Sequence, residues 1–201
     1  MNFSIIGTGF IMPRHAEAIN FIGGRIIDVV NTSHGFDTWK DVVKNEKTDC
    51  IVILTPNDLH YEMAKMAAEN GKKVLCEKPL GINSDQAKDL AKYDGVYTIL
   101  QLHHHPAVKE LKQSLSVDKN YEIEMDISVH RDPHYYEIWK GQKERSGGVL
   151  FNLGIHYFDL LLHLFGQPES VTTDYLDDKT GYGIMKGKNY NCKWKISTAE
   201  P

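Results

Sequence analysis

Over its first hundred residues the chain alternates short apolar runs with amphipathic stretches, and the spacing predicts strand and helix in turn. NFSIIG is a compact strand that passes through TGF into IMPRHAEAINFIG. There Pro13 suits a first helical turn and Ala16, Ile19 and Ile22 space one inner face. RIIDVVN, DCIVIL, KKVLC and VYTILQL repeat the strand pattern. FDTWKDVVKNE, LHYEMAKMAAENG (stopped by Gly71) and NSDQAKDLAKY (opened by an Asn-Ser cap) fall between them as helices. Strand-helix alternation of this kind means βαβ units, hence a doubly wound parallel sheet covered on both faces.

The pattern changes after HHHPAVKELKQSLSV. YEIEMDISVHR alternates apolar and polar residues as a half-exposed antiparallel strand does, and DPHYYEIWKGQKERSGG reads as a polar, aromatic loop. VLFNLGIHYFDLLLHLFG reads as a buried helix ended by Gly166, with ESVTTDYLD and YNCKWKIST as further strands. The predicted class is therefore α/β. A Rossmann domain over 1–117 is followed by an α/β domain over 118–201 with an open, largely antiparallel sheet, and no Gly/Ser linker divides them.

Composition adds limits. The 201 residues carry 23 Lys plus Arg against 27 Asp plus Glu, a formal net charge of -4, so no basic field is available to a nucleic-acid backbone. His156, Asp159 and His163 interrupt the longest apolar run and no basic leader precedes the first strand. The expectation is a cytoplasmic protein with no membrane partner. Cys50, Cys76 and Cys192 lack any zinc or CxxC spacing and read as buried thiols.

Candidate chemistry clusters at strand ends. Gly7-Thr8-Gly9 between strand and helix is two thirds of a dinucleotide fingerprint, with Met12 in the third glycine's place. Asn31, with Ser33 and Asp37 nearby, stands where an acid usually meets the adenosine ribose. No arginine follows to take a 2'-phosphate, which favours NAD. In TPNDLH, Thr55 and Asn57 either face the cofactor or form a turn with Asp58 capping the next helix. The HHH of 103–105, read as extended, places His103 and His105 on one side and His104 on the other; no metal is expected. CEKPLG puts Lys78 at the carboxyl end of a strand, where open parallel sheets present groups to ligands. On a helix Asn152, His156 and Asp159, at offsets of four and three, share one face of an apolar segment; they fit either a site or a core histidine held by a carboxylate.

In this order GTGFIMPRHAEAI, TPNDLH, CEKPLG and GGVLFNLGIHYFD resemble the glucose-fructose oxidoreductase and inositol dehydrogenase family (Gfo/Idh/MocA), NAD(P)-dependent enzymes. The resemblance implies a catalytic Lys78 beside the nicotinamide and the reacting hydroxyl, and His156 as base with Asp159 orienting it. Glu77 and Pro79 would direct the lysine, through a cis Lys78-Pro79 bond. Cofactor contacts fall to Gly7, Gly9, Phe10, Ile11, Asn31, Thr55, Asn57, His60, Glu77, Lys78 and Gln101. Within the family ILQLHHHP, WKG and Asn152 look most like the WlbA-type UDP-N-acetylglucosaminuronate 3-dehydrogenases of surface polysaccharide synthesis. Lys78, His103, Tyr136, Trp139, Lys140, Arg145, Asn152 and His156 would then meet a nucleotide sugar. The alternatives are a free sugar or inositol as substrate, or a non-catalytic NAD-binding protein. Family members continue past NCKWKISTAEP with more strands of a sheet through which they self-associate. The expectation is a homo-oligomer, and a chain that is a fragment or a shortened form.

Overall fold

A computed structural model describes residues 1–31 and 38–199, so Ser33 and Asp37 lie outside the described residues. The chain divides into two compact units, Met1–Ile99 and Leu100–Pro201. The division falls at residue 99, where the sequence places it near 117. The difference is the segment 100–117, whose His103 pairs with Asp159 of the second unit.

In the first unit β1 (Asn2–Ile6), α1 (Met12–Phe21), β2 (Arg25–Val30), α2 (Thr38–Lys44), β3 (Cys50–Ile53), α3 (Asn57–Glu69), β4 (Lys73–Cys76), α4 (Ser84–Leu90) and β5 (Val96–Thr98) follow in order. The strands form a wholly parallel sheet in the order β2-β1-β3-β4-β5. β3 is buried along its whole length, which is why CIVI lacks polar positions: helices cover both faces. Period two splits it between two cores. Ile51 and Ile53 pack with Trp39, Val43 and Met63, while Cys50 and Val52 pack with Phe3, Ile5 and Ile19. The chain runs outward in opposite directions from β1 and β3, so their carboxyl ends flank the crevice where doubly wound sheets hold ligands. The expected Asn83 cap is present, its side chain accepting from the Gln86 amide at 3.0 Å.

The second unit begins with a 3-10 turn, Gln101–His104, then α5 (Pro106–Ser114), β6 (Tyr121–Ser128), the short α6 (Pro133–Glu137) and α7 (Lys143–Ser146), and α8 (Ile155–Phe165). The strands β7 (Ser170–Leu176), β8 (Thr180–Gly187) and β9 (Tyr190–Ser197) complete it. Its sheet has the order β6-β9-β8-β7. β7, β8 and β9 pair antiparallel as expected, but β6 lies parallel to β9. Alternation along YEIEMDIS records that one face is buried and is silent about strand direction. On that face Met125, Ile127, Cys192, Trp194 and Ile196 pack against Val149, Leu153, Phe158 and Leu161. The helical run Lys143–Phe165 is long and apolar enough by length and composition to cross a membrane. Here it lays its apolar stripe on the sheet rather than being buried all round as the sequence suggests; of α8 itself, Leu161 is the buried residue.

All three cysteines are buried and unpaired with one another, and burial pushes the Cys50 and Cys192 thiols up to about 11. They stay protonated at neutral pH, in keeping with a packing role.

Candidate active site

In the first unit the turn between β1 and α1 is built for close approach. Gly7 has φ +107°, and a Cβ there would lie 2.6 Å from the Leu54 carbonyl oxygen, so the backbone ends of β1 and β3 touch. Among the described residues, a Cβ on Gly9 would meet nothing within 4 Å beyond its chain neighbours. The first turn of α1 carries no acid, leaving its N-terminal dipole unneutralised. Asn31 donates from Nδ2 to Thr8 Oγ1 at 3.0 Å, tying the end of β2 to the same turn. A tight glycine, open space over the next one and a bare helix N-terminus fit the pyrophosphate of a dinucleotide.

The CEKPLG turn follows β4. The Lys78-Pro79 peptide is cis, as the sequence suggests. Glu77 accepts from His15 Nε2 of α1 at 3.0 Å and lies within 3.3 Å of the Lys78 amide. Burial pushes the Glu77 carboxyl up, but the His15 hydrogen bond and charge outweigh it and leave its pKa below the ordinary value. A depressed carboxyl contributes stability that is complete above the ordinary glutamate value of about 4.3 and is lost as pH falls through the folded one. Urea midpoints measured down a pH series should therefore drop more steeply below that value for the wild type than for Glu77→Gln; parallel curves would refute the assignment.

His60 is expected at the cofactor, and the structure places it between two turns. Its side chain is wholly buried, with Nδ1 2.7 Å from the Pro79 carbonyl and Nε2 2.8 Å from the Thr55 carbonyl, so it supports both turns from behind. Thr55 and Asn57 are also buried, the Thr55 hydroxyl lying 3.6 Å from Met63 Sδ. Pro56 occupies the cap of α3, and Asp58 falls in the first turn rather than at the cap. Phe10 is exposed and Ile11 precedes α1.

In the second unit residues 150–154 form π-helical turns ahead of α8. This i→i+5 winding replaces the regular α-helix expected there, a departure common at functional sites. Asn152 donates from Nδ2 to Tyr135 Oη at 2.6 Å, and the Arg131 guanidinium lies 5.0 Å from the Tyr135 ring centre. Tyr136 donates to Thr198, and Lys179 stands over its ring. Tyr135, Tyr136, Lys140, Lys143 and Ser146 line a recess with room for one water-sized group. Burial, with the Arg131 charge beside it, lowers the Lys140 pKa.

Asp159 Oδ2 lies 2.5 Å from His103 Nε2, and the His103 ring stacks on His163 at 3.9 Å. The 3-10 winding of 101–104, in place of the extended segment expected, turns His103 to α8 and leaves His104 and His105 exposed. Burial raises the Asp159 pKa against the opposing pull of His103. Among the described residues no three His, Cys, Asp or Glu side chains are arranged to hold a metal ion.

Comparison with known proteins gives two matches of one family. An oxidoreductase family's NAD-binding Rossmann fold matches residues 25–94, and its C-terminal alpha/beta domain matches 119–189. The chain belongs to the Gfo/Idh/MocA family. Among family members, 2,7-anhydro-N-acetylneuraminate hydratase of Escherichia coli is 28% identical over 86% of this chain and 52% of its own length. The scyllo-inositol 2-dehydrogenase (NADP(+)) IolU of Bacillus subtilis is 26% identical over 93% and 63% respectively. The WlbA (WbpB) dehydrogenase from Thermus thermophilus, solved with NAD and UDP-GlcNAcA, is 28% identical with TM-score 0.84 over 98% of this chain and 73% of that one. The chain spans about half the length of the curated Gfo/Idh/MocA relatives it matches.

As a family member the chain carries its predicted cofactor residues on the β1–α1 turn, the end of β2, the β3–α3 turn and the EKP turn of one unit. Gln101, His103, Tyr136, Trp139, Lys140, Arg145, Asn152, His156 and Asp159 belong to the other. Two residues escaped the sequence reading, His15 and Arg131. His15 sits two residues past Pro13 with no motif of its own, and Arg131 only closes the strand pattern of YEIEMDISVHR.

Proposed function

We propose that this chain is the catalytic part of an NAD-dependent dehydrogenase that oxidises a ring hydroxyl, the 3-OH of a UDP-linked N-acetylated sugar acid, to a ketone. The observation that carries the reading is the polar set on the helical run 150–165. Asn152 reaches Tyr135, Asp159 reaches His103, and His156 lies between them on an otherwise apolar segment. Such half-buried polar groups on a largely apolar segment call for a polar ligand or partners. The likeness to the Thermus WlbA dehydrogenase bound to NAD and UDP-GlcNAcA supports the choice of sugar.

NAD, when bound, accepts the hydride that leaves the carbinol carbon. The turn around Gly7 and Gly9 receives the pyrophosphate. Lys78 directs its ammonium at the reacting oxygen and favours the negative charge that grows there as the C–H bond breaks. His156 takes the hydroxyl proton, in a range suited to an imidazole whose ordinary pKa is about 6.5. Arg131 and Lys140 offer cations to carboxylate or diphosphate. A cytoplasmic location and self-association through the second unit's sheet belong to the same reading.

The test mixes the chain with NAD and UDP-N-acetylglucosaminuronate and follows reduced nicotinamide by absorbance, with scyllo-inositol as the competing substrate. Reduction with the nucleotide sugar alone supports the reading, and reduction with inositol alone replaces it with a free-polyol dehydrogenase. Lys78→Met should lower turnover about 10²-fold, roughly 2.7 kcal/mol of transition-state stabilisation, with NAD still bound; an unchanged rate would remove Lys78 from the chemistry.

A further inference from the structure

We infer that His60 is a buried imidazolium, a positioning residue that joins the Thr55 and EKP turns by donating to both at once. Its two ring nitrogens face carbonyl oxygens, Pro79 at 2.7 Å and Thr55 at 2.8 Å, and the side chain has no exposure to water. A carbonyl oxygen only accepts, and a neutral imidazole carries a single N–H. In the neutral ring one of these contacts would set two lone pairs against each other in a dry interior, where buried polar groups are otherwise paired. Protonation at both nitrogens resolves the geometry.

The surroundings divide over that charge. Burial is the largest influence and pushes the imidazole pKa below its ordinary value; the Pro79 and Thr55 carbonyls and the Glu77 carboxylate pull it up, and Lys78 pushes it down. Glu77 in turn is held by His15. On balance the pKa is lowered, so the two short carbonyl contacts must hold the second proton against the effect of burial. His60 thereby locks the peptide chain that follows β3 to the chain that follows β4. Glu77 and Lys78 leave the sheet in the direction this lock allows. The importance of that direction for catalysis rests on the function proposed above; the protonation state does not.

The test is side-chain nitrogen NMR on the full chain, labelled with 15N and without added cofactor. At neutral pH one of the ten histidines should show two protonated ring nitrogens, slowly exchanging, with through-space contacts to Thr55 and Pro79. A His60 with one proton-free ring nitrogen at neutral pH overturns the inference. The second readout is NAD affinity by calorimetry across the pH range in which the His60 signals titrate. The charged form makes the lock, so affinity should fall about tenfold as pH rises through that titration. His60→Gln should bind weakly at every pH and lack the inflection. A wild-type affinity that stays flat while His60 titrates overturns the positioning role, and it can be read even if the variant does not fold. Neither measurement uses turnover, so a failed sugar oxidation sinks the proposed function alone.

Discussion

On the function proposed above, His156→Asn should lower turnover about a thousandfold while NAD affinity stays at the wild-type value. General-base catalysis by a positioned imidazole contributes roughly 10²–10⁴ in rate, and a thousandfold loss is about 4 kcal/mol at the transition state. The substitution keeps a polar side chain of similar reach at a half-buried helical position, so α8 retains its apolar stripe on the sheet. The cofactor turn belongs to the other unit, and its residues are untouched. Turnover is read from reduced nicotinamide under saturating sugar, and affinity from calorimetry on the same sample. A variant that turns over as the wild type does would take the proton-accepting role away from His156. One that loses NAD binding as well would mean that its effect is not confined to proton transfer.

Gly7→Ala destabilises the fold by about 3 kcal/mol or more, whereas Gly9→Ala leaves stability within about 0.5 kcal/mol and weakens NAD binding instead. The two glycines are two residues apart and do different work. At Gly7 the backbone has φ +107° and a methyl group would be driven to 2.6 Å from the Leu54 oxygen and 2.7 Å from its carbonyl carbon, both backbone atoms that cannot rotate away. Strain and collision add at the one point where β1 and β3 separate. At Gly9 a methyl group meets no atom of the described residues within 4 Å, its chain neighbours aside, and so should be felt by a bound pyrophosphate rather than by the fold. Denaturant midpoints and NAD titrations on the pair give a crossed pattern. If Gly9→Ala bound NAD as the wild type does, the pyrophosphate would not rest on this turn.

Much of the first unit was legible because its parallel strands obey a local rule: apolar throughout where both faces are covered, with a helix between. The cis peptide at Pro79 and the Asn83 cap were legible for similarly local reasons. What escaped was set at long range or by winding. Nothing in YEIEMDIS tells whether its partner runs parallel, since the partner is β9, some sixty residues on. The π turns at 150–154 are built from the same apolar residues that would continue an α-helix, and Asn152 finds its partner, Tyr135, in a stretch expected to be loop. HHH invited an extended reading because three identical side chains carry no periodicity, and its 3-10 winding delivers His103 to Asp159. For His60 the motif gave the residue and not its direction. TPNDLH places it one turn into α3, and only the arrival of Pro79 from the next βα unit shows that it faces inward.

The pairing of β6 with β9 sets an order of events. The first unit's sheet grows by neighbours, each new strand docking soon after it is made, but β6 has no partner until all of β9 has emerged. Through that interval Ile123, Met125 and Ile127 wait with an open edge, and closing the sheet must gather a loop of some sixty residues, a step that is intrinsically slow. The second unit's sheet should therefore close later than the first unit's, and its unpaired strand should be the more exposed while the chain is being synthesised.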